Sequence, residues 1–531
     1  MNFLCLARIR YVLSYLFDSA RESSLNQCTP AMLRLSSTQT KSRTAIPRHP
    51  LTGIESLKLS RILDFIPLSA QSLLEGRKKM DSVSMVGNIA NNFFREGSLL
   101  AKDPELTVTL VVGSAENVPN TENPSSDPVS DSEGSKQLII RETGKPLLGL
   151  RDYHFLLPRA LWRLDPNLDL ASLSAIESSD LVILSGPEVV LGNILRTPFV
   201  IRPTGSDLTV RPSLSFIEVE QLQGNRRSGL VSRMRARIGW SFRRALFKRA
   251  YKKATAVAVT AEAQPYERAI SSMGLDKRRL VSGIPLAIDL NSFKRVSGRS
   301  ILLPSYVGAE DFLVFFPSRM MIKNSPTHVA TGQWKASEVG IIGFKHFLDS
   351  LPRSARQRCW LVIPNRLLSD DLLAAKHIVR ELGIEENIVW VTGSAAQGLT
   401  RKEMVPLYSS SSATLDDFGA GWFGSVVVEA MACESPVITH ISGPRMESAG
   451  NPPVLLAKTA DDVAGQLLDL YSDNEKARTI GRKSREWVEA FHGKDSITLA
   501  YRNLFGEVNR LLSPENVMRA PGRCRKRGSR S

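Results

Sequence analysis

The most constraining feature of this chain is an alternation. Short runs rich in Val, Ile and Leu, each closed by a Gly or Pro turn, are followed repeatedly by helical segments. In the first half "LTVTLVV", "SDLVILSG", "TPFVIRPTGSD" and "ATAVAVTAE" read as strands, and "IANNFFREGSLLAKD" and "QPYERAISSMGL" as helices. The second half repeats the design, with strands in "DFLVFFPSR", "RCWLVIPN", "NIVWVTGS", "ATLDDF" and "SPVITHI" and helices in "ASEVGIIGFKHFLDSL", "DDLLAAKHIVRELGI" and "RKEMVPLYSSS". Strands alternating with helices predict parallel sheets covered on both faces. Two such runs, joined near residues 285–310, predict an α/β protein of two doubly wound, Rossmann-like domains facing each other across a cleft. Ligands of such sheets bind beyond the carboxyl ends of the strands, so the cleft is the expected site.

The length of 531 residues exceeds what one ordinary core serves. The expected organisation is a leader or extension over 1–80, an N-terminal acceptor domain over 81–290, a C-terminal domain over 291–510 and a basic tail over 511–531. Residues 114–137, polar and rich in Pro and Ser, read as a loop insertion in the first domain. The first 80 residues read as a targeting leader or as an over-long start before Met80. No window approaches twenty uninterrupted apolar residues, which argues against a membrane-spanning helix. Five scattered cysteines without CxxC spacing suggest reduced thiols and a cytoplasmic setting. No histidine spacing suits a structural metal, and no cofactor is expected. The formal net charge of +16 favours acidic partners without choosing among them.

The stretch "LDDFGAGWFGSVVVEAMACESPVI", residues 415–438, is the most informative. If 425–434 is a helix, Gly424 and Ser425 stand at its start, where free N–H groups and the helix dipole favour an anion by about 0.3–1 kcal/mol. Small residues in "GAGWFGS" permit close approach to the backbone. Glu429 lies one turn deeper on the same face as Ser425, too far along for a capping box. Buried among valines, its carboxylate needs donors. Ribose hydroxyls would supply them, and so would a backbone amide or a nearby Arg.

The stretch resembles the nucleotide-sugar motif of the retaining glycosyltransferase family four (group 1), whose fold is a two-Rossmann B-type architecture. "FGSVVVEAMACESPVI" carries the likeness, with Phe423, Gly424, Ser425 and Glu429 in donor-binding places; the resemblance implies that Glu429 grips the nucleotide ribose. The family's first Glu is absent, since Gly421 stands in its place, and Asp416 and Asp417 are candidates for supplying that carboxylate. Glu434 replaces the family's usual Gly. The resemblance also implies an Arg and a Lys that neutralise the departing diphosphate. Arg319 ends the strand "FFPSR", and Lys335 directly precedes the next helix, with Lys323 as the alternative. Charge-assisted bonds of this kind contribute about 1.5–3 kcal/mol each.

In the first domain the resemblance is weaker. It places Gly87, Asn88 and Asn91 toward the acceptor or donor sugar, although "VGNIANN" also suits a plain Asn-rich helix start. In "RPTGSDLT" Thr204 occupies the family's histidine place, and Asp207 reads as a sugar contact or as a helix cap. Between Asn225 and Ala254 lie eleven Arg/Lys and no acid, interleaved with apolar residues. That run, 226–253, reads as a basic helix pair facing an anionic membrane, or as a solvated helical face; no nucleic-acid motif accompanies it. The resemblance therefore implies an enzyme that moves a sugar, with retention, from a nucleotide-sugar to a lipid-linked or saccharide acceptor. Such a role fits surface glycan biosynthesis by a cytoplasmic protein, peripheral on the membrane. The alternatives are a catalytically silent member of the fold binding nucleotide or glycan as a partner subunit, and a nucleotide-sugar epimerase.

Overall fold

The computed structural model describes residues 80–87, 92–113, 138–143, 170–210, 212–223, 229–259, 264–322, 328–329, 334–365, 369–394 and 398–513. Residues 1–79 of the leader, the 114–137 insertion, Asn88, Asn91, Lys323 and residues 514–531 of the basic tail lie outside them.

Seven strands form the first sheet: β1 Ser82–Val86, β2 Thr107–Gly113, β3 Leu138–Thr143, β4 Leu181–Leu184, β5 Phe199–Ile201, β6 Ala256–Val259 and β7 Leu280–Ser282. Their order is β3-β2-β1-β4-β5-β6-β7, and every pairing is parallel. Six strands form the second: β8 Phe312–Phe315, β9 Cys359–Pro364, β10 Ile388–Val391, β11 Ala413–Leu415, β12 Val437–Thr439 and β13 Leu455–Leu456. Their order is β10-β9-β8-β11-β12-β13, again all parallel. The strands β4, β8, β9 and β11 are buried at every residue, as expected where helices cover both faces of a parallel sheet. In each sheet the order reverses beside its first strand, between β1 and β4 and between β8 and β11. Open α/β sheets bind ligands at such points.

Three strands were not legible in the sequence. β3 follows the polar insertion and lies at the sheet edge, where Ile139 and Ile140 stay about half exposed and blur its pattern. β7 and β13 have three and two residues, too few to show a period.

Helix α1, Asn92–Leu100, follows β1. The basic run forms a single helix, α2, Leu230–Lys253, and not the expected pair. Its last turns bury Leu246, Phe247, Ala250 and Tyr251 in the first core, while Val231, Met234 and Ile238 stay exposed. The second sheet carries α3 Ser337–Ser350, α4 Arg401–Ser410, α5 Ser425–Ala432 and α6 Asn474–His492. Thr400 and Glu403 close a reciprocal capping box that starts α4. The last described helix, α7 Lys494–Leu512, falls in the segment expected to belong to the second domain. It nevertheless packs Ile497, Tyr501, Leu504 and Val508 into the core beneath β1. Each such side chain contributes roughly 1.5–3 kcal/mol, so this apolar face sets the docking of α7. A buried polar cluster reinforces it, with Arg202 at the end of β5 beside Glu96 of α1, and the Tyr501 hydroxyl on Glu96.

Candidate functional site

The site forms at the switch point of the second sheet. Past β8 the chain runs through Ser318 and Arg319; past β11 it runs through Asp416 and Asp417 into the glycine turn that starts α5. Lys335 joins these two strand ends, its Nζ donating to Asp416 Oδ1 at 2.8 Å and to Ser318 Oγ at 3.0 Å. The Ser318 hydroxyl also bonds Asp416. Asp416 is buried, whereas the Lys335 side chain keeps 27% of its surface open. Arg319 is exposed, and among the described residues its Nη2 meets the Met321 sulfur at 3.6 Å.

The backbone holds Lys335 in place. Ala336, between Lys335 and α3, has φ 49°, a left-handed conformation rare for a residue with a side chain. Conformations of that kind cost about 1–3 kcal/mol and persist only where surrounding structure enforces them. Here the Lys335 carbonyl accepts from the Phe418 amide at 2.9 Å. Gly419 packs so closely that a Cβ there would lie 2.5 Å from the Trp334 carbonyl oxygen. Lysine segment and glycine turn therefore form one unit.

Gly424 is the N-cap of α5, and no side chain caps it. The first-turn amides thus remain available to an anion. The Asp416 Oδ2 atom lies near this end, 3.6 Å from where a Cβ on Gly424 would stand. Asp416 answers Lys335, while Asp417 turns inward and accepts from the amides of Gly419 at 2.9 Å and Ala420 at 2.8 Å. Burial, with Asp416 alongside, raises the Asp417 pKa to about 6. Asp417 thus shapes the turn.

Glu429 is 1% exposed. Its Oε1 accepts from Arg95 Nη2 and Arg401 Nε, both at 2.9 Å, and its Oε2 from the Tyr408 hydroxyl at 3.2 Å. Burial pushes this carboxyl upward, but Arg401 and Arg95 outweigh it and its pKa lies below the usual value. Of the protein donors open to a buried Glu429, the structure uses arginine and tyrosine. Arg95 comes from α1, so the pair bridges the two sheets' halves. Trp422 of the glycine turn makes a second bridge, in a T-shaped contact with Tyr266 at 5.3 Å and with Arg445 over its ring at 4.1 Å. Phe423 faces inward, stacked on His492 at 5.6 Å and against Trp487, and so builds the core behind the turn.

The first-domain candidates take structural parts. Gly87 ends β1 with φ 98°, and a Cβ there would lie 2.3 Å from the Ser185 carbonyl oxygen. It thus allows the two strand ends to touch at the switch point of the first sheet. Asp207 is buried and accepts from the amides of Gly186, Thr204 and Gly205. That makes it the cap of its loop.

Residues 338–487 match the family model described as glycosyl transferases group 1. The matched segment contains Asp416, Asp417, α5 and Glu429, and begins just after Arg319 and Lys335. No curated protein matches the chain. Among solved structures, the Anabaena protein HepE, determined with UDP and glucose, aligns with a TM-score of 0.51 at 15% identity, covering 80% of this chain and 99% of that one. Sucrose-phosphate synthase from Thermosynechococcus elongatus aligns with a TM-score of 0.48 at 17% identity, over 80% and 99% of the two chains. The protein thus has the two-sheet B-type glycosyltransferase fold and resembles the group 1 glycosyl transferases; that match supports glycosyl transfer as its class of activity.

Sequence reasoning did not single out Ser318, Arg95, Arg401, Tyr408, His440 or Arg445. The need of Glu429 for donors was visible, but Arg95 lies 334 positions away, and no local pattern links them. Arg401 had a nearer signal, as the first residue after a capping-box threonine.

Proposed function

We propose that this protein transfers a sugar, with retention, from a nucleotide-sugar to a lipid-linked or saccharide acceptor, with Arg319 and Lys335 stabilising the departing diphosphate. The observation that carries this reading is the uncapped start of α5 beside Lys335 and the exposed Arg319, at the switch point of the second sheet. A leaving diphosphate accumulates negative charge, and preorganised donors at that point lower the barrier. The pyrophosphate is placed at the α5 amides, with Arg319 beside it. Lys335 turns from Asp416 toward the phosphates, and Asp416 holds it poised until then. The HepE structure of the same fold contains UDP and glucose, which supports a nucleoside diphosphate as the leaving group here.

The acceptor side is assigned to α2. Val231, Met234 and Ile238 recur on one exposed face, with Arg233, Arg235 and Arg237 between them. An apolar stripe flanked by arginines suits an anionic lipid surface. It supports a lipid-linked acceptor, a peripheral position on a membrane and a role in surface glycan synthesis. Among the described residues no helix is long and apolar enough to cross a membrane.

One observation favours a second reading. The Glu429 carboxylate already accepts from Arg95, Arg401 and Tyr408, so it is satisfied without a pentose. A catalytically silent nucleotide-binding partner would have such a site. Incubating the full chain with a panel of nucleotide-sugars separates the two. Transfer, or slow donor hydrolysis, supports the enzyme; binding with no turnover under any acceptor supports the silent partner.

A further inference from the structure

We propose that His440 is the side chain that hydrogen-bonds the hydroxyls of the sugar carried on the distal phosphate, setting which donors the site accepts. This inference rests on the reading of the α5 start as the diphosphate site.

Gly421 lies three residues before the Gly424 N-cap. Its φ is 67°, which side chains rarely tolerate. A Cβ there would lie 3.1 Å from His440 Cδ2, 3.2 Å from His440 Nε2 and 3.2 Å from the Ser442 amide nitrogen. The turn therefore offers no side chain of its own at this point, and the imidazole of His440 occupies the adjoining space. His440 directly follows β12, the strand beside β11, so it stands at a carboxyl end on the ligand side of the sheet. A group attached to a phosphate at the α5 amides extends along this turn and meets the ring.

The ring suits a hydroxyl. It is only half buried, and it has no hydrogen-bond partner among the described residues. Burial, together with Lys458 and Arg445, lowers its pKa, so the imidazole is neutral near pH 7. It then presents one donor and one acceptor, as a sugar hydroxyl does. The local backbone does not depend on the ring. The His440 amide bonds the Asp417 carbonyl at 2.6 Å, the Thr439 hydroxyl bonds the same carbonyl at 3.1 Å, and the Ala457 amide bonds the Thr439 carbonyl at 3.0 Å. Arg445 holds the far side of the turn through the carbonyls of Ala420 and Gly421. Changing the imidazole therefore alters what the turn presents and leaves its course in place.

The test compares two ligand sets on the full chain by calorimetric titration: UDP and GDP, and the glucose and mannose conjugates of each. For the conjugate that binds best, His440→Ala should weaken affinity at least tenfold while leaving the free diphosphate within twofold. His440→Gln, which keeps a donor and an acceptor, should recover most of the loss. Equal conjugate affinity in the unaltered protein and His440→Ala, with diphosphate binding intact, overturns the role of His440 alone. So does a parallel loss for conjugate and diphosphate. Failure of the unaltered chain to bind any of the diphosphates or conjugates overturns the reading of the diphosphate site, and the role of His440 with it.

Discussion

Two buried carboxylates bracket the start of α5, and they are treated differently. Glu429, inside the helix, is met by two guanidiniums and a phenol from two helices, α1 and α4, the first of them across the junction between the sheets. Asp416, at the strand end before the helix, is met by one ammonium and one hydroxyl, and that lysine remains partly open to solvent. A charge whose partners are all fixed and buried organises structure. A charge paired on one side with a partly exposed lysine can release that lysine to a stronger anion. On the proposed reading, the difference separates scaffold from chemistry within a few residues of a single motif.

The largest effect expected from this contrast is on stability. Glu429→Ala leaves Arg95 and Arg401 without their shared acid, and breaking a buried pair from one side costs about 3–5 kcal/mol. The denaturant midpoint should fall accordingly. A variant of unchanged midpoint that has lost only nucleotide affinity would reverse the assignment and make Glu429 a ligand group.

The next effect sharpens the contrast between neighbouring acids. The Asp417 pKa is raised to about 6 in the folded protein, against an ordinary value of 3.8. The folded state binds that proton more tightly, so this contribution is complete below pH 3.8 and is lost as pH rises toward 6. Over that window the loss amounts to roughly 3 kcal/mol by linkage. Asp417→Asn keeps an acceptor for the Gly419 and Ala420 amides and cannot ionise. Between pH 4 and 7 its unfolding free energy should therefore gain on that of the unaltered protein by that order. Parallel stability–pH curves would show that Asp417 is ionised at little cost.

Lys335→Ala should behave oppositely to Glu429→Ala. Turnover with a nucleotide-sugar should drop at least tenfold, about 1.4 kcal/mol in the barrier, and Arg319→Ala should match it. The midpoint for Arg319→Ala, at an exposed position, should stay within about 0.5 kcal/mol of the unaltered protein. Unchanged rates in folded variants would remove both residues from the chemistry. The smallest effect lies at the far end of α5, where Glu434 follows the helix with φ 60°. Glycine adopts that conformation freely, so Glu434→Gly should stabilise by about 0.5–1 kcal/mol, read as a raised midpoint with unchanged turnover.

The sequence carried the alternation of strands and helices because buried parallel strands appear as unbroken apolar runs; Leu181–Leu184 and Phe312–Phe315 could hardly be anything else. It carried α5 and its glycine start because turn chemistry is local. It could not reveal which donors answer Glu429, since α1 meets α5 only through the packing of whole sheets. Nor could it separate a cap from a ligand at Asp207, or show that His440 lies against Gly421, because those contacts depend on how strand ends converge.

The most direct test is the position of a nucleoside diphosphate in crystals of the full chain soaked with UDP or GDP. The account predicts pyrophosphate density at the Ser425 and Val426 amides, with the Arg319 guanidinium on it and Lys335 turned from Asp416 toward it. Pyrophosphate bound elsewhere, or Arg319 and Lys335 both remote from it, would contradict the account.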